Sequence, residues 1–222
     1  MTFESFRSGI QHTVYRIIDP SVRFMLKIGV TPNMITTLGL VGNLCAAFLL
    51  VWSAQTEPIP NYFHIGIAGA LILFSSIFDM VDGYMARTGN LCSEFGAFYD
   101  SVLDRYCELF TLSAIAIFFM EYGYAIYAAV SFLSLIGSIM VSYIRARAEG
   151  LGKECKVGLM QRPERVVVTS LGAILTPFLS GYLEEPLLPL FIPQVMIAVL
   201  ANYTAGVRIA HVKKQMDQNI TK

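Results

Sequence analysis

Charge is scarce in this sequence. Only 14% of the 222 residues are Asp, Glu, Lys or Arg, where a soluble domain carries about 25%. With 55% of the residues hydrophobic, too little polar surface remains for an ordinary water-facing domain. Histidine is rarer still. His12, His64 and His211 lie far apart in the sequence and do not suggest a histidine-based metal cluster. The four cysteines, Cys45, Cys92, Cys107 and Cys155, form no CxxC pair and read as ordinary reduced thiols. Net charge is zero, which argues against a nucleic-acid partner. Residues 1–20 mix charged and apolar groups without an apolar core, so no signal peptide is expected.

The apolar residues are gathered into six runs, roughly 34–53, 63–85, 95–120, 123–144, 166–180 and 187–210. Most approach the ~20 residues that cross a hydrocarbon core; the fifth is the shortest. The third carries Asp100, Asp104, Arg105 and Glu108, so it cannot face lipid all round. Alternate gaps, near 54–62, 121–122 and 181–186, contain acidic residues but no Lys or Arg. Every one of the 16 basic residues except Arg105 falls on the other side of the bundle. The positive-inside rule then places both termini in the cytoplasm. The expected fold is an all-α integral membrane protein with six transmembrane helices. An amphipathic juxtamembrane helix precedes them, since Phe3, Phe6, Ile10, Val14, Ile17 and Ile18 share a face. The chain reads as one domain: the juxtamembrane helix over 1–30, the six-helix bundle over 31–212 and a cytoplasmic tail over 213–222. In Thr31-Pro32-Asn33, Thr31 caps a helix that begins at Pro32. The gaps opposite the aspartates are short, which excludes an external receptor domain.

One polar island interrupts the grease: DMVDGYMARTGNLCSEFGAFYDSVLD, from Asp79 to Asp104. Asp79 and Asp82 are at i, i+3 at the end of the second run, and Asp100 and Asp104 at i, i+4 at the start of the third. Each pair shares a helix face. The intervening Thr88-Gly89-Asn90 is a turn signal. It should make the two helices antiparallel neighbours, with Gly83, Ala86 and Gly96 keeping space where they approach. Four carboxylates at close quarters repel one another unless cations bind among them. Two magnesium ions, or manganese, would suit these hard oxygen ligands, clamp a diphosphate and assist displacement at phosphorus. Arg87 could neutralise phosphate oxygens through its planar fork.

The pattern Asp79-xx-Asp82-Gly83-xx-Ala86-Arg87-x8-Gly96-xxx-Asp100-xxx-Asp104 resembles the signature of the CDP-alcohol phosphotransferases. The resemblance implies that an alcohol hydroxyl attacks the β-phosphorus of a CDP-linked lipid and expels CMP. It implies metal ligation by Asp79, Asp82, Asp100 and Asp104, with Asp104 also the general base. It implies that Gly83, Arg87 and Ser93 contact the CDP moiety, with Asn33 and Thr36 on the nucleotide side. A homodimer in the inner membrane, its active site facing the cytoplasm, is implied as well.

A second basic cluster, SYIRARAEG from Ser142 and QRPER from Gln161, follows the fourth run. It could anchor the chain against anionic lipid or hold an acceptor that carries a phosphate. Arginine rather than lysine suits bidentate phosphate binding. The cluster is similar to that of the prokaryotic phosphatidylinositol-phosphate synthase subfamily, in which CDP-diacylglycerol meets inositol 1-phosphate. That similarity makes Arg145, Arg165 and Arg208 the acceptor-phosphate residues, with Arg145 standing where lysine is usual. Glycerol 3-phosphate, free inositol and another polyol remain alternative acceptors. An ion or metal transporter is the alternative of another class. It would continue polar groups across the bilayer, whereas the far halves of these runs are nearly free of ionisable side chains.

Overall fold

The computed structural model describes residues 18–56 and 58–220, with side chains through 217. All regular structure among the described residues is helical. A short α1 covers 18–27. It is followed by α2 (Pro32–Thr56), α3 (Tyr62–Thr88), α4 (Glu94–Glu121), α5 (Ala125–Glu149), α6 (Arg162–Leu179) and α7 (Leu188–Ile220). Each of the six apolar runs is therefore a helix. Four of them, α2, α3, α5 and α7, are long and apolar enough to cross a membrane, and the chain is a membrane protein. The charges of α4 dilute its apolar character, and α6 has only 18 residues, about 27 Å at 1.5 Å per residue. Of the juxtamembrane helix expected over 1–30, residues 1–17 lie outside the described residues.

Local chemistry sets the helix ends. The Met34 N–H reaches Thr31 Oγ1 at 3.4 Å, so the Thr31 cap and the Pro32 start occur as expected. The α3 helix stops at the turn signal. Asn90 adopts φ 52°, and Leu91 N–H donates to Ala86 O at 2.9 Å, the geometry of a left-handed helix terminator. Ser93 caps α4 by accepting the Gly96 N–H at 3.0 Å. At α6, Glu164 accepts the Gln161 N–H at 2.8 Å, which fixes Arg162 as the first helical residue.

The six long helices close into a ring. The α2 helix packs on α3 and α4, α3 on α6, α6 on α7, α7 on α5, and α5 on α4. One correction follows. The α3 and α4 helices were expected as direct neighbours, but they lie against the two sides of α2 and leave a gap across the ring. Gly83 and Gly96 consequently mark no close helix approach. A Cβ at Gly83 would meet only the Arg87 guanidinium, 3.6 Å away, and one at Gly96 would meet Ser93 Oγ and Asn33 Oδ1. On α3 a tight approach to α6 is at Gly69, where a Cβ would come within 2.6 Å of Ala173 Cβ and 2.8 Å of Ser170 O. That contact brings α3 against α6.

The end of the ring far from the aspartates is filled by Leu50, Ile65, Ile115, Phe118, Phe119, Leu187 and Leu190, all buried. Tyr127 and Phe191 stack beside them with centroids 3.7 Å apart. On the aspartate side, α1 docks through Val22 onto Ile35, Val81 and Met85. Asp19 adds a polar tie to α3, accepting Tyr84 Oη–H at 2.7 Å and Arg23 Nε–H at 2.8 Å. The Arg23 guanidinium, and after it the Tyr84 hydroxyl, hold the Asp19 carboxyl below its ordinary range.

Candidate active site

Across the gap between α3 and α4, Asp79, Asp100 and Asp104 bring one carboxylate oxygen each to within 4.8 Å of the others. Their spacing explains this. Asp100 and Asp104 are one turn apart on α4, and Asp79 sits on the face of α3 turned toward them. The fourth aspartate is placed differently. Asp82 is buried at 5% exposure and accepts Thr36 Oγ1–H at 2.6 Å, which links it to α2 rather than to the trio. Asp100 Oδ1 is buried without a hydrogen-bond partner. A buried anionic oxygen left in this way is costly. Three clustered carboxylates with such an orphan fit a hard divalent cation.

The segment at the start of α2 comes to the same place. Asn33 Oδ1 approaches Gly96 and Ser93 at the start of α4, Thr36 meets Asp82, and Thr37 Oγ1 lies 3.1 Å from Tyr99 Oη. Arg87 folds back over Gly83. Of these residues Thr36 touches an aspartate directly, while Asn33 and Ser93 meet at Gly96 and Arg87 covers Gly83, the residue after Asp82.

Two site residues escaped the sequence reading. Arg162 stood there only as one member of a basic cluster. In the structure its Nη1 pairs with Asp79 and with Asp104, the latter at 2.7 Å. Glu108 lies one turn beyond Asp104. It takes Arg165 Nε–H at 2.5 Å and Nη2–H at 3.0 Å, and both side chains are buried. Position i+4 from Asp104 was the available signal for Glu108; no local signal pairs Arg162 with residues so distant in sequence. Beside the trio a cavity is lined by Asn43, Ser76, Glu108, Thr111, Arg162 and Arg165 together with the apolar Ile72, Leu112 and Val166. Asn43 Oδ1 accepts from Thr111 Oγ1 at 3.3 Å.

Of the three basic residues expected at the acceptor phosphate, Arg145 and Arg165 both bear electrostatically on Arg208. Each meets protein groups here. Arg145 pairs with Glu149 at 2.8 Å. Arg165 Nη1 donates to Met160 O at 2.6 Å as well as binding Glu108. Arg208, only 4% exposed, donates to Val157 O at 2.9 Å and Val141 O at 2.5 Å. Thr204 joins them in fastening the 151–161 loop, donating to Leu159 O at 2.7 Å.

Residues 29–205 match the family model for CDP-alcohol phosphatidyltransferase. Among curated relatives, an archaetidylinositol phosphate synthase of Pyrococcus horikoshii is 28% identical over 95% of this chain and 98% of its own. A phosphatidylinositol phosphate synthase of Mycobacterium marinum is 28% identical over 87% of this chain and 78% of its own. Among solved structures, the Mycobacterium tuberculosis phosphatidylinositol phosphate synthase with CDP-DAG bound superimposes with a TM-score of 0.76. It is 26% identical and covers 89% of this chain and 94% of its own. The same enzyme in complex with manganese and citrate gives 0.75 at 26% identity, over 87% of each chain. The chain belongs to the CDP-alcohol phosphatidyltransferase family.

Proposed function

We propose that this transferase moves the phosphatidyl group of CDP-diacylglycerol to a hydroxyl of inositol 1-phosphate, releasing CMP and forming phosphatidylinositol phosphate. The observation that carries the reading is the convergence of Asp79, Asp100 and Asp104 from two helices onto one site. Family membership and relatives named for this product support it.

The trio, together with Asp82, would hold two magnesium ions, or manganese. Bound there, the ions would polarise the diphosphate and neutralise charge on the departing CMP. Asp104 would accept the proton of the attacking hydroxyl. A new oxygen–phosphorus bond forms at the lipid-bearing phosphorus as the bond to CMP breaks. Thr36 orients Asp82, and Asn33, Gly83, Arg87 and Ser93 would line the nucleotide side. Arg145, Arg165 and Arg208 would receive the acceptor phosphate after exchanging protein oxygens for phosphate oxygens. The reading includes six membrane crossings, with α4 and α6 lined by the other helices. Both termini and the aspartates would then face the cytoplasm across the inner membrane. The amphipathic N-terminal helix would lie on the same leaflet, and the single-domain chain would form a homodimer.

The direct test supplies purified protein with CDP-diacylglycerol and magnesium, and compares CMP release with inositol 1-phosphate, free inositol and glycerol 3-phosphate. Inositol 1-phosphate should win. Faster release with either rival would overturn the acceptor assignment, and no release with any would overturn the activity.

A further inference from the structure

Two arginines near the site, Arg165 buried and Arg162 partly exposed, are engaged very differently. Arg165 spends Nε and Nη2 on Glu108 and Nη1 on Met160 O. Arg162 directs a single nitrogen, Nη1, to both Asp79 and Asp104, while its Nε is buried with no partner. Its location is adverse as well. Arg162 is the first residue of α6, where the helix dipole disfavours a cation. Glu164 in the same first turn is taken up by the Gln161 N–H, and the guanidinium itself turns to carboxylates of α3 and α4. They are two of the three that converge.

We propose that Arg162 is a built-in counter-cation of the carboxylate cluster, which holds Asp79 and Asp104 together until a divalent cation displaces it. The inference rests on the metal-site reading above and adds a competitor to it. Three anions within 4.8 Å would otherwise drive α3 and α4 apart, since those helices do not pack against each other. A guanidinium held through one nitrogen against a helix dipole is easier to displace than a doubly bonded one such as Arg165. Divalent-ion affinity is therefore set partly by the work of moving Arg162 aside.

The test is manganese binding to purified protein without substrate, read from the free-ion paramagnetic resonance signal, with melting curves alongside. Arg162→Gln should tighten the manganese Kd about tenfold, because it removes both the competitor and a nearby like charge. It should also melt lower than wild type in metal-free buffer and gain more from added manganese. Arg162→Lys keeps the charge but loses the planar fork, and should fall between the two; it carries the test if the glutamine variant does not fold. Unchanged or weaker manganese binding in a folded variant would overturn the proposal, since a merely structural residue never tightens binding when removed. No manganese binding by the wild type would overturn the metal site itself, and this proposal with it.

Discussion

The Asp104 carboxylate shows how the surroundings of one residue select its task. It sits beside Asp100 on α4, faces Asp79 and is only 15% exposed. In Asp104→Asn the amide cannot accept a proton yet keeps the shape, so the fold should persist. CMP release should fall by about 10³-fold or more, in the range for a lost general base. Retained turnover would remove Asp104 from that role. Thr36 acts through its neighbour. Losing the 2.6 Å bond to Asp82 in Thr36→Val should weaken manganese binding about tenfold, as is usual when the group orienting a ligand is removed. An unchanged affinity would show that Asp82 needs no orientation. Arg165 calls for a cautious substitution. Alanine there would strand the buried Glu108 carboxylate at a cost of about 3–5 kcal/mol, so Arg165→Lys is the better probe of acceptor KM. At this scale the sequence was informative for Asp100 and Asp104, whose spacing put them on one face, whereas the spacing of Asp79 and Asp82 did not reveal that Asp82 turns to Thr36. It was silent on Arg162, because pairing with residues on α3 and α4 is a product of the ring and leaves no periodic mark.

Among the elements, α3 carries the most consequence. Its contact with α6 at Gly69 joins the two helices that carry Asp79 and Arg162. Gly69→Ala would force a Cβ into Ser170 O and Ile174 N of the facing backbone, which cannot swing aside like a side chain. The expected cost is about 1–3 kcal/mol, visible as a lower melting temperature together with reduced CMP release. An unshifted melting curve would show that the interface yields freely. The α1 helix is tied to α3 in part by Asp19. Because that carboxyl is held below its ordinary range, its support is complete above the unfolded value of about 3.9. It fades as pH drops through the lower folded value. Hydrogen exchange in 18–27, corrected for the intrinsic pH effect, should therefore accelerate below about pH 4, and Asp19→Asn should show that faster exchange already at neutral pH. All six long helices were legible from apolar run length, and the α3 terminus from its turn residues. Helix adjacency was not. A short connection suggested that α3 and α4 touch, yet both pack on α2, because the groups between them are charged and need room.

For the whole molecule, the asymmetry of basic residues makes a topological forecast. Tyr182, 88% exposed in the α6–α7 connection, should be labelled as Tyr182→Cys by an impermeant maleimide applied to intact cells. Lys214→Cys on the last helix should react only after permeabilisation. The reverse pattern would invert the proposed orientation. The ring itself has one polar end and one end sealed by Phe118, Phe119 and their neighbours. On the proposed activity a lipid would be drawn in and handed back only on the side where the carboxylates lie. Each turnover would then convert one lipid into another within a single monolayer, leaving its molecular count unchanged while altering its headgroup charge. Supplying the opposite monolayer with this product would fall to a separate lipid-translocating protein.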